Sequence, residues 1–511
     1  MARKLERTLR IEGQLVAETP LHVGGAEAAA HSDMPLAVDG QGRYYLPGTS
    51  VAGAIRAHCR AFDEAKLWGF AEGPDKGAAS RIIVDDAPTL DTPAVELWHG
   101  NGIDRRWGTA ADQVNYDREV LPRGTRFAFR LQLEIGDEQD IGARRGLAAW
   151  LLDELEHGRI AFGAGATRGL GRVRLENAIC DEQDWSSPRG ILSWLEQGKA
   201  TDCRAAWTKA LEHFVPPRAR AWLELTIHWR PKGPLMSKSA RDGVVVDGLP
   251  FLSRLANGEF ALTLPGAGIK GAWRSHAERI IRTVRGADDK VRSDKHHEQV
   301  DVPLAAELFG LARPEERADP EDPKAGKPDA KGSKGLLAFR TCYANFSLPV
   351  ARWSELERDE DQWRSPPSSA RPMTMAMHVA VDRWTGGAAD GLLFSAVEPG
   401  RLSWEPIRLR VDLSQSPLAE LALFWLTLRD FCAGRIPLGY GVNRGYGDLE
   451  VDEVILAGLD RLQPETDENK QNELSLKVED GVIDETPVAE LVQRLQSAWA
   501  AWIRLQEQEA A

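Results

Sequence analysis

The sequence predicts an α+β protein made of two tandem copies of one unit with antiparallel sheets, and three observations carry that expectation. A block near the start of each half recurs without a gap. PGTSVAGAIRAH (Pro47 to His58) and PGAGIKGAWRSH (Pro265 to His276) share Pro-Gly, Gly-Ala, Arg and His at a constant offset of 218. Later in each half, GRIAFGAGATRGLGRV (Gly158 to Val173) returns as GRIPLGYGVNRGYGDL (Gly434 to Leu449) at an offset of 276. Apolar residues alternate in Phe127, Phe129, Leu131, Leu133 and Ile135, in Leu223, Leu225, Ile227 and Trp229, and in Ile407, Leu409, Val411 and Leu413. Period two marks strands with one covered face, and blocks recurring in one order mark a duplication.

Each element has a local cause. The Pro-Gly block opens a helix whose Gly and Ala residues permit close approach to a sheet. The late alternating strand is followed by an apolar-periodic helix, Leu147 to Glu156 or Leu418 to Cys432, that stops at Gly158 or Gly434. Strand, helix, strands, helix, strand is the ferredoxin-like order. Between these lie lesser matches: Gly102–Trp107 with Ala380–Trp384, and Leu67-Trp68-Gly69 with Leu308-Phe309-Gly310. The non-repeating parts are a Trp- and Pro-containing connection, an insertion whose Pro/Lys/Asp-rich middle is expected to be disordered, and a final amphipathic helix, Val488 to Leu505. The expected organisation is 1–182 as the first domain, 183–218 as linker, 219–460 as the second domain with an insertion at about 285–335, and 461–511 as an acidic segment with the C-terminal helix.

At 511 residues, two or three domains is the expectation, and 42% hydrophobic with 28% charged residues is a soluble composition. There is no apolar run of bilayer length, and MARKLERTLRIEG lacks the apolar stretch of a secretory signal. Cys59, Cys180, Cys203, Cys342 and Cys432 are scattered with no CxxC pair, which argues against disulfides and structural zinc and for a cytoplasmic protein with free thiols. A net charge of −13 is awkward for a nucleic-acid binder, but it describes the average field rather than one groove.

Two loops carry the candidate chemistry. Gly163, Gly165, Gly169 and Gly171 surround Arg168, and Gly439, Gly441, Gly445 and Gly447 surround Arg444. Such a loop is either a tight structural turn or a phosphate cradle made of backbone N–H groups. It is not a dinucleotide fingerprint, because the strand-turn-helix order with a later acid is missing.

The chain from Pro20-Leu21-His22-Val23-Gly24-Gly25 through Asp33 and Pro35 to Tyr44-Tyr45-Leu46-Pro47-Gly48-Thr49-Ser50 and Gly53-Ala54-Ile55-Arg56 resembles the start of a RAMP protein. The continuation resembles one too: Leu67-Trp68-Gly69, Ser80-Arg81 with Asp85-Asp86-Ala87, Asp104-Arg105, Pro122 with Gly124-Thr125, and the Gly-rich loop. The resemblance covers residues 8–180 closely and 222–455 more loosely, in a tandem form similar to fused type III-D architectures. It implies two tandem ferredoxin-like, RNA-recognition-motif-like domains and a backbone subunit of a type III CRISPR effector complex. The implied partners are guide RNA, complementary target RNA, further RAMP proteins and the large polymerase-like subunit, with no membrane.

In that family one Asp, in the loop between the first strand and the Pro-Gly helix, carries target-RNA cleavage. The position matches Asp33 in the first unit. Aligning Pro20-Leu21 with Pro234-Leu235 (offset 214) brings it to Asp247 in the second, with Asp242 as a competitor. The resemblance also implies Mg²⁺, or another divalent cation such as Mn²⁺, held by Asp33 and Asp247. RNA can be cut by its own 2′-OH once a nucleotide is splayed in line, so positioning and charge stabilisation suffice. Guide binding falls to the two Gly-rich loops, to the helix openings at Gly48-Thr49-Ser50 and Gly266-Ala267-Gly268, and to Lys238, Arg241 and Lys270. Arg56 and Arg274 serve either RNA or an internal acid, as do Asp104-Arg105 and Asp382-Arg383. His22, His31 and His58 read as core or surface histidines. Two alternatives stay open: a non-catalytic scaffold, and a guide-processing RAMP endoribonuclease, which uses a His/Tyr/Lys-type site beside a C-terminal Gly-rich loop.

Overall fold

Alternation and helical stops translate into the same four strands and two helices in both halves. The computed structural model describes residues 4–25, 32–59, 67–72, 76–136, 140–197, 202–216, 222–286, 289–312, 332–364, 372–400, 402–414, 418–459, 462 and 473–510. His31, the Pro/Lys/Asp-rich middle of the insertion at 313–331 and the acidic residues 463–472 lie outside them. The chain divides into two units. Unit 1 comprises Met1–Trp98, Asp117–Ala166 and Leu170–Arg220; unit 2 comprises His99–Tyr116, Thr167–Gly169 and Ala221–Ala511.

Along the first repeat the order is β1 (Arg7–Ala17), α1 (Gly48–His58), β2 (Ile82–Val84), the hairpin strands β3 (Glu96–Ile103) and β4 (Ala110–Val120), whose residues His99–Tyr116 belong to unit 2, then β5 (Arg126–Ile135), α2 (Ile141–Glu156) and β6 (Val173–Asp184). The antiparallel sheet runs β6-β1-β5-β2. The alternating side of β5 is buried as expected, from Phe127 to Ile135, against Leu147, Leu151 and Leu155 of α2. Each such side chain contributes about 1.5–3 kcal/mol when taken out of water. Asp140 caps α2 by accepting the Gly142 N–H at 2.8 Å.

The stretch 183–218, expected as a linker, instead adds core to unit 1. It holds α3 (Pro188–Gln197) and α4 (Arg204–Leu211). Trp207 of α4 is fully buried in the unit 1 core, with Phe214 packed against it.

Unit 2 repeats the scheme with β7 (Trp222–Pro231), α5 (Gly266–Arg285), β8 (Leu337–Arg340), the hairpin strands β9 (Met373–Val381) and β10 (Ala388–Pro399), β11 (Ile407–Asp412), α6 (Leu418–Cys432) and β12 (Leu449–Ala457). Its sheet runs β8-β11-β7-β12, the same arrangement as β2-β5-β1-β6, so the fold is α+β and ferredoxin-like twice over. Two additions follow in sequence. β13 (Glu473–Glu479) extends the sheet beyond β12, and α7 (Ala489–Ala510) packs on α6. The core centres on Trp273 of α5, whose ring lies 5.0 Å from Phe431 and 5.3 Å from Phe339.

The helix ends are duplicated in detail. His58 Nε2 lies 2.6 Å from Glu154 Oε2, and His276 Nε2 lies 2.6 Å from Asp430 Oδ2. Glu154 and Asp430 are related by the 276 offset of the Gly-rich block, and both helices stop at glycines of positive φ, Gly158 and Gly434. All five cysteines are free, and burial pushes the Cys59 and Cys432 thiols up to about 12, leaving them inert. Among the described residues no helix is long and apolar enough to cross a membrane.

Candidate nucleic-acid interface

The loop after the first strand is seated on the fourth by its main chain. In unit 1 the Met34 N–H donates to Asp117 O (3.1 Å) and the Glu119 N–H to Met34 O (3.1 Å). The Asp117 N–H donates to Asp33 Oδ2 at 2.8 Å. In unit 2 the Gly248 N–H donates to Ser395 O (2.9 Å) and the Val397 N–H to Gly248 O (2.8 Å). There the Ser395 N–H donates to Asp247 Oδ2 at 2.7 Å and its hydroxyl donates to the same oxygen at 3.0 Å. Offsets of 214 for the loop and 278 for the strand superpose the three bonds donated by main-chain N–H groups; the Ser395 hydroxyl bond is an addition of unit 2. Asp247 is therefore the geometric counterpart of Asp33. Asp242 sits apart, 82% exposed, with Lys238 Nζ 3.9 Å away. Asp33 and Asp247 are both exposed. The backbone and hydroxyl bonds from Ser395 hold the Asp247 carboxyl below the usual carboxylate range.

The Gly-rich loops share their left-handed glycines, though Arg168–Gly169 pairs as a short strand with Phe339–Arg340 while Val442–Arg444 forms a 3-10 turn, and the glycines answer first to the turn. Gly163, Gly165, Gly169 and Gly171 have φ of 80, 76, 90 and 78°; Gly439, Gly441, Gly445 and Gly447 have 87, 74, 84 and 82°. These are left-handed conformations that side chains resist. The Gly171 N–H donates to Pro20 O (2.9 Å) and the Gly447 N–H to Pro234 O (3.0 Å), so those two face inward rather than toward a phosphate. A Cβ on Gly163 or Gly439 would overlap the carbonyl oxygen of His22 or Met236. Gly163→Ala and Gly439→Ala are each expected to cost at least about 1–3 kcal/mol of stability, read by denaturant unfolding.

The helix openings correct the expectation more sharply. The Gly48 N–H donates to Asp86 Oδ1 at 2.7 Å, and the Gly266 N–H to Thr341 Oγ1 at 3.3 Å. The Ser50 and Gly268 N–H groups close turns onto Pro47 O (2.9 Å) and Pro265 O (2.8 Å). These donors already have acceptors, and at Gly48 a carboxylate stands where a phosphate was expected; Thr49 remains as an exposed surface residue. Lys270 is buried and donates to Leu337 O at 2.9 Å. Burial, with Arg274, Arg168 and Lys334 nearby, lowers its ammonium to about 7, so it is not the outward contact the helix pattern suggested. Gly169 packs against Gly266, and its carbonyl accepts the Thr341 hydroxyl at 2.9 Å.

The two loop arginines each find an aromatic ring that sequence reasoning missed. Arg168 lies over Tyr116 at 5.9 Å and donates to its hydroxyl at 3.1 Å. Arg444, exposed, lies over Phe394 at 5.1 Å and Tyr440 at 5.0 Å, and Lys238 Nζ stands 5.8 Å from the Tyr440 ring. Tyr116 and Phe394 correspond at the 278 offset, so cation over hairpin aromatic is a duplicated device. Arg241 is exposed at the loop surface. Unit 2 adds a cluster of its own. Tyr446 O–H donates to Glu398, His378 Nε2 lies 2.9 Å from that hydroxyl, and the His378 ring stacks on Phe394 at 5.1 Å. Burial and the Glu398 bond push the Tyr446 phenol well up. The matching positions in the first repeat are Gly100, Val120 and Leu170.

Other expected candidates are structural. Arg274 donates to Glu278, Gly310 O and Val300 O, and Asp104 and Asp382 close hairpin turns instead of pairing with the arginines beside them. His22 is buried with Nδ1 2.7 Å from Glu119 O. Burial lowers the His22 and His276 imidazoles, against partly compensating hydrogen bonds. A folded value below the unfolded one means that the unfolded chain binds the extra proton. Stability from both is therefore full above about pH 6.5 and lost as pH falls through the lowered folded values, with His276→Gln flattening the profile measured by urea titration.

Both repeats of the sequence have a counterpart among known proteins. The RAMP superfamily model matches residues 14–174 and 259–450. The chain belongs to the RAMP superfamily. Its two matched stretches cover both repeats, so the tandem RAMP form is established along with the α+β fold. This RAMP chain is also similar to the CRISPR system Cms endoribonuclease Csm3 of Methanocaldococcus jannaschii. The identity is 26% over an alignment of 159 residues that takes in 25% of this chain and 64% of that protein. The chain thus spans under two thirds of that relative's length. Among the described residues no group of three or more His, Cys, Asp or Glu side chains gathers as a metal cage. The donors at hand are single carboxylates, which suit a hydrated hard cation shared with phosphate oxygens.

Proposed function

We propose that this chain is a guide-RNA-binding backbone subunit of a type III CRISPR interference complex that also cuts guide-paired target RNA, with Asp33 and Asp247 at two cutting positions. The observation that carries the reading is the matched seating of two exposed carboxylates on equivalent hairpin strands. Each has one oxygen fixed by a main-chain N–H. A divalent cation, Mg²⁺ or Mn²⁺, would be held by Asp33 and by Asp247 and would supply positive charge to the phosphate. The protein's own part is to hold a splayed nucleotide so that its 2′-OH lies in line with the phosphorus. Arg168 over Tyr116 and Arg444 over Phe394, with Lys238 and Arg241, offer cation and ring surfaces for the guide. Further RAMP proteins and the large polymerase-like subunit are the proposed neighbours, and the cytoplasm the proposed location.

The test is a guide-loaded complex carrying both Asp33→Ala and Asp247→Ala. Cleavage of matched RNA is expected to vanish while guide retention stays; full cleavage would favour a scaffold role, with another subunit cutting. A target with a 2′-deoxy sugar at the cut linkage is expected to survive. One observation favours a second reading, guide processing: the His378–Tyr446 pair beside the C-terminal Gly-rich loop with Lys238 nearby. Precursor RNA cut by the purified chain, and spared by His378→Ala, would establish it.

A further inference from the structure

The outer margin of the unit 1 sheet is β6, and the chain returns along it. Asp181 of β6 faces Asp202 as an antiparallel pair, and the Cys203 N–H donates to Cys180 O at 2.9 Å. Cys180 and Cys203 are therefore directly opposed, one position along the same ladder. Opposed residues of an antiparallel pair point to one face, and where a main-chain bond joins them their Cα atoms stand about 5.5 Å apart. A disulfide spans that separation without moving the backbone. The two side chains do share a face: Cys180 is fully buried in the unit 1 core, and the half-buried Cys203 packs against that core. Neither is in a disulfide here.

The second repeat shows what this place otherwise holds. Ile11 pairs with Cys180, and at offsets of 214 and 276 Leu225 pairs with Leu456. Leu456 in turn faces Leu474 of β13 across the same margin. An apolar pair suffices to close the sheet in unit 2, whereas unit 1 has two thiols there. With five cysteines in 511 residues, the meeting of two across one ladder is not a demand of packing.

We propose that Cys180 and Cys203 form a thiol–disulfide switch that reacts with low-molecular-weight disulfides. Cys203, the more accessible of the two, loses its proton to solvent and attacks one sulfur of the small disulfide. That S–S bond breaks and releases one small thiolate. The Cys180 thiol gives its proton to the released thiolate, and its sulfur attacks the Cys203 sulfur. The mixed S–S bond breaks, and the second small thiolate leaves and takes a proton from solvent. Two protein thiols are oxidised by two electrons, and one small disulfide is reduced to two thiols. Burial raises both thiols, Cys180 to about 11, so the pair answers to a sustained oxidising poise and not to trace oxidant. The new bond ties β6 to α4, which Arg204 already holds by donating to Glu156 Oε1 at 2.7 Å and to Ala178 O at 3.2 Å. It encloses α3 in a loop and so restricts detachment of the arm that carries Trp207. This inference does not rest on the RNA reading.

The purified full chain tests it, equilibrated in glutathione buffers from fully reduced to fully oxidised and trapped with N-ethylmaleimide. Peptide mapping is expected to find Cys180 linked to Cys203, with Cys59, Cys342 and Cys432 alkylated once the chain is denatured. The thiol count should fall by two and return with dithiothreitol. Hydrogen exchange of the α4 amides should slow at least tenfold on oxidation, and Cys203→Ser should remove both the bond and the slowing. Cys180→Ala should stop at the mixed disulfide, with glutathione left on Cys203. Glutathione on Cys203 in the unsubstituted chain, linkage of any other pair, or a disulfide between two chains overturns the proposal. So does survival of all five thiols in pure glutathione disulfide, or a bond that leaves α4 exchange unchanged.

Discussion

Asp33→Asn in the assembled, guide-loaded complex is expected to remove one target-RNA product, slowing that cut about a hundredfold or more, while the product from the Asp247 position persists. The magnitude is that of losing one charged group positioned at a reacting phosphate. Asn is the informative replacement. Its carbonyl oxygen still accepts the Asp117 N–H, so the loop keeps its seat and only the negative charge and metal-binding oxygen are lost. Asp247→Asn should remove the complementary product, with Ser395 still bonded to the side chain. Asp242→Asn should be silent, because Asp242 has no place in the paired bonding of loop and strand. Each product is resolved on a denaturing gel, so the two sites serve as internal controls for each other. An unaltered ladder from Asp33→Asn would remove Asp33 from the mechanism.

The largest effect on stability is expected from Glu278→Ala. Glu278 has no solvent exposure and holds Arg105 Nε at 2.6 Å, Arg274 Nε at 2.7 Å and Arg282 Nη1 at 3.7 Å. Removing one partner of a buried ion pair leaves uncompensated charge, typically at a cost of about 3–5 kcal/mol. Here three guanidiniums lose their common acceptor, so unfolding of unit 2 should shift by at least that much in denaturant titrations. Glu278→Gln keeps the oxygen acceptor without the charge and should fall between Glu278→Ala and the wild type. The exposed pair Arg126–Asp91, 2.7 Å apart, provides the contrast: Asp91→Ala should change stability by about 1 kcal/mol or less.

What could be read from the residues followed how local its cause was. The Pro-Gly helices, the alternating strands and the left-handed glycines are set by neighbours along the chain, and they fold where the pattern put them. The choice between Asp247 and Asp242 needed the strand opposite, because only the bonds from Ser395 identify the equivalent carboxylate. The arginine–aromatic pairs were hidden for a similar reason. Arg444 and Phe394 come from blocks with different offsets, 276 and 278, and only the fold brings them together. Lys270 misled because a lysine beside a helix opening reads as exposed, whereas its aliphatic stem lies in the interior and its ammonium meets a strand carbonyl. The 183–218 stretch misled because Pro and polar residues surround Trp207, the residue that anchors it. β13 was overlooked because acidic residues flank it, although Leu476 and Val478 alternate inward.

That last strand bears on how the protein can be cut into pieces. β13 pairs with β12 along Glu453–Ala457, and Val488, Leu491 and Leu495 close over the same core. A fragment ending near residue 460 would present β12 as a bare margin of unmatched donors and acceptors above an uncovered apolar floor. Such a margin recruits strands from other molecules. Expression of the second repeat alone should therefore yield precipitate when it stops at 460 and soluble protein only when the chain runs on through α7.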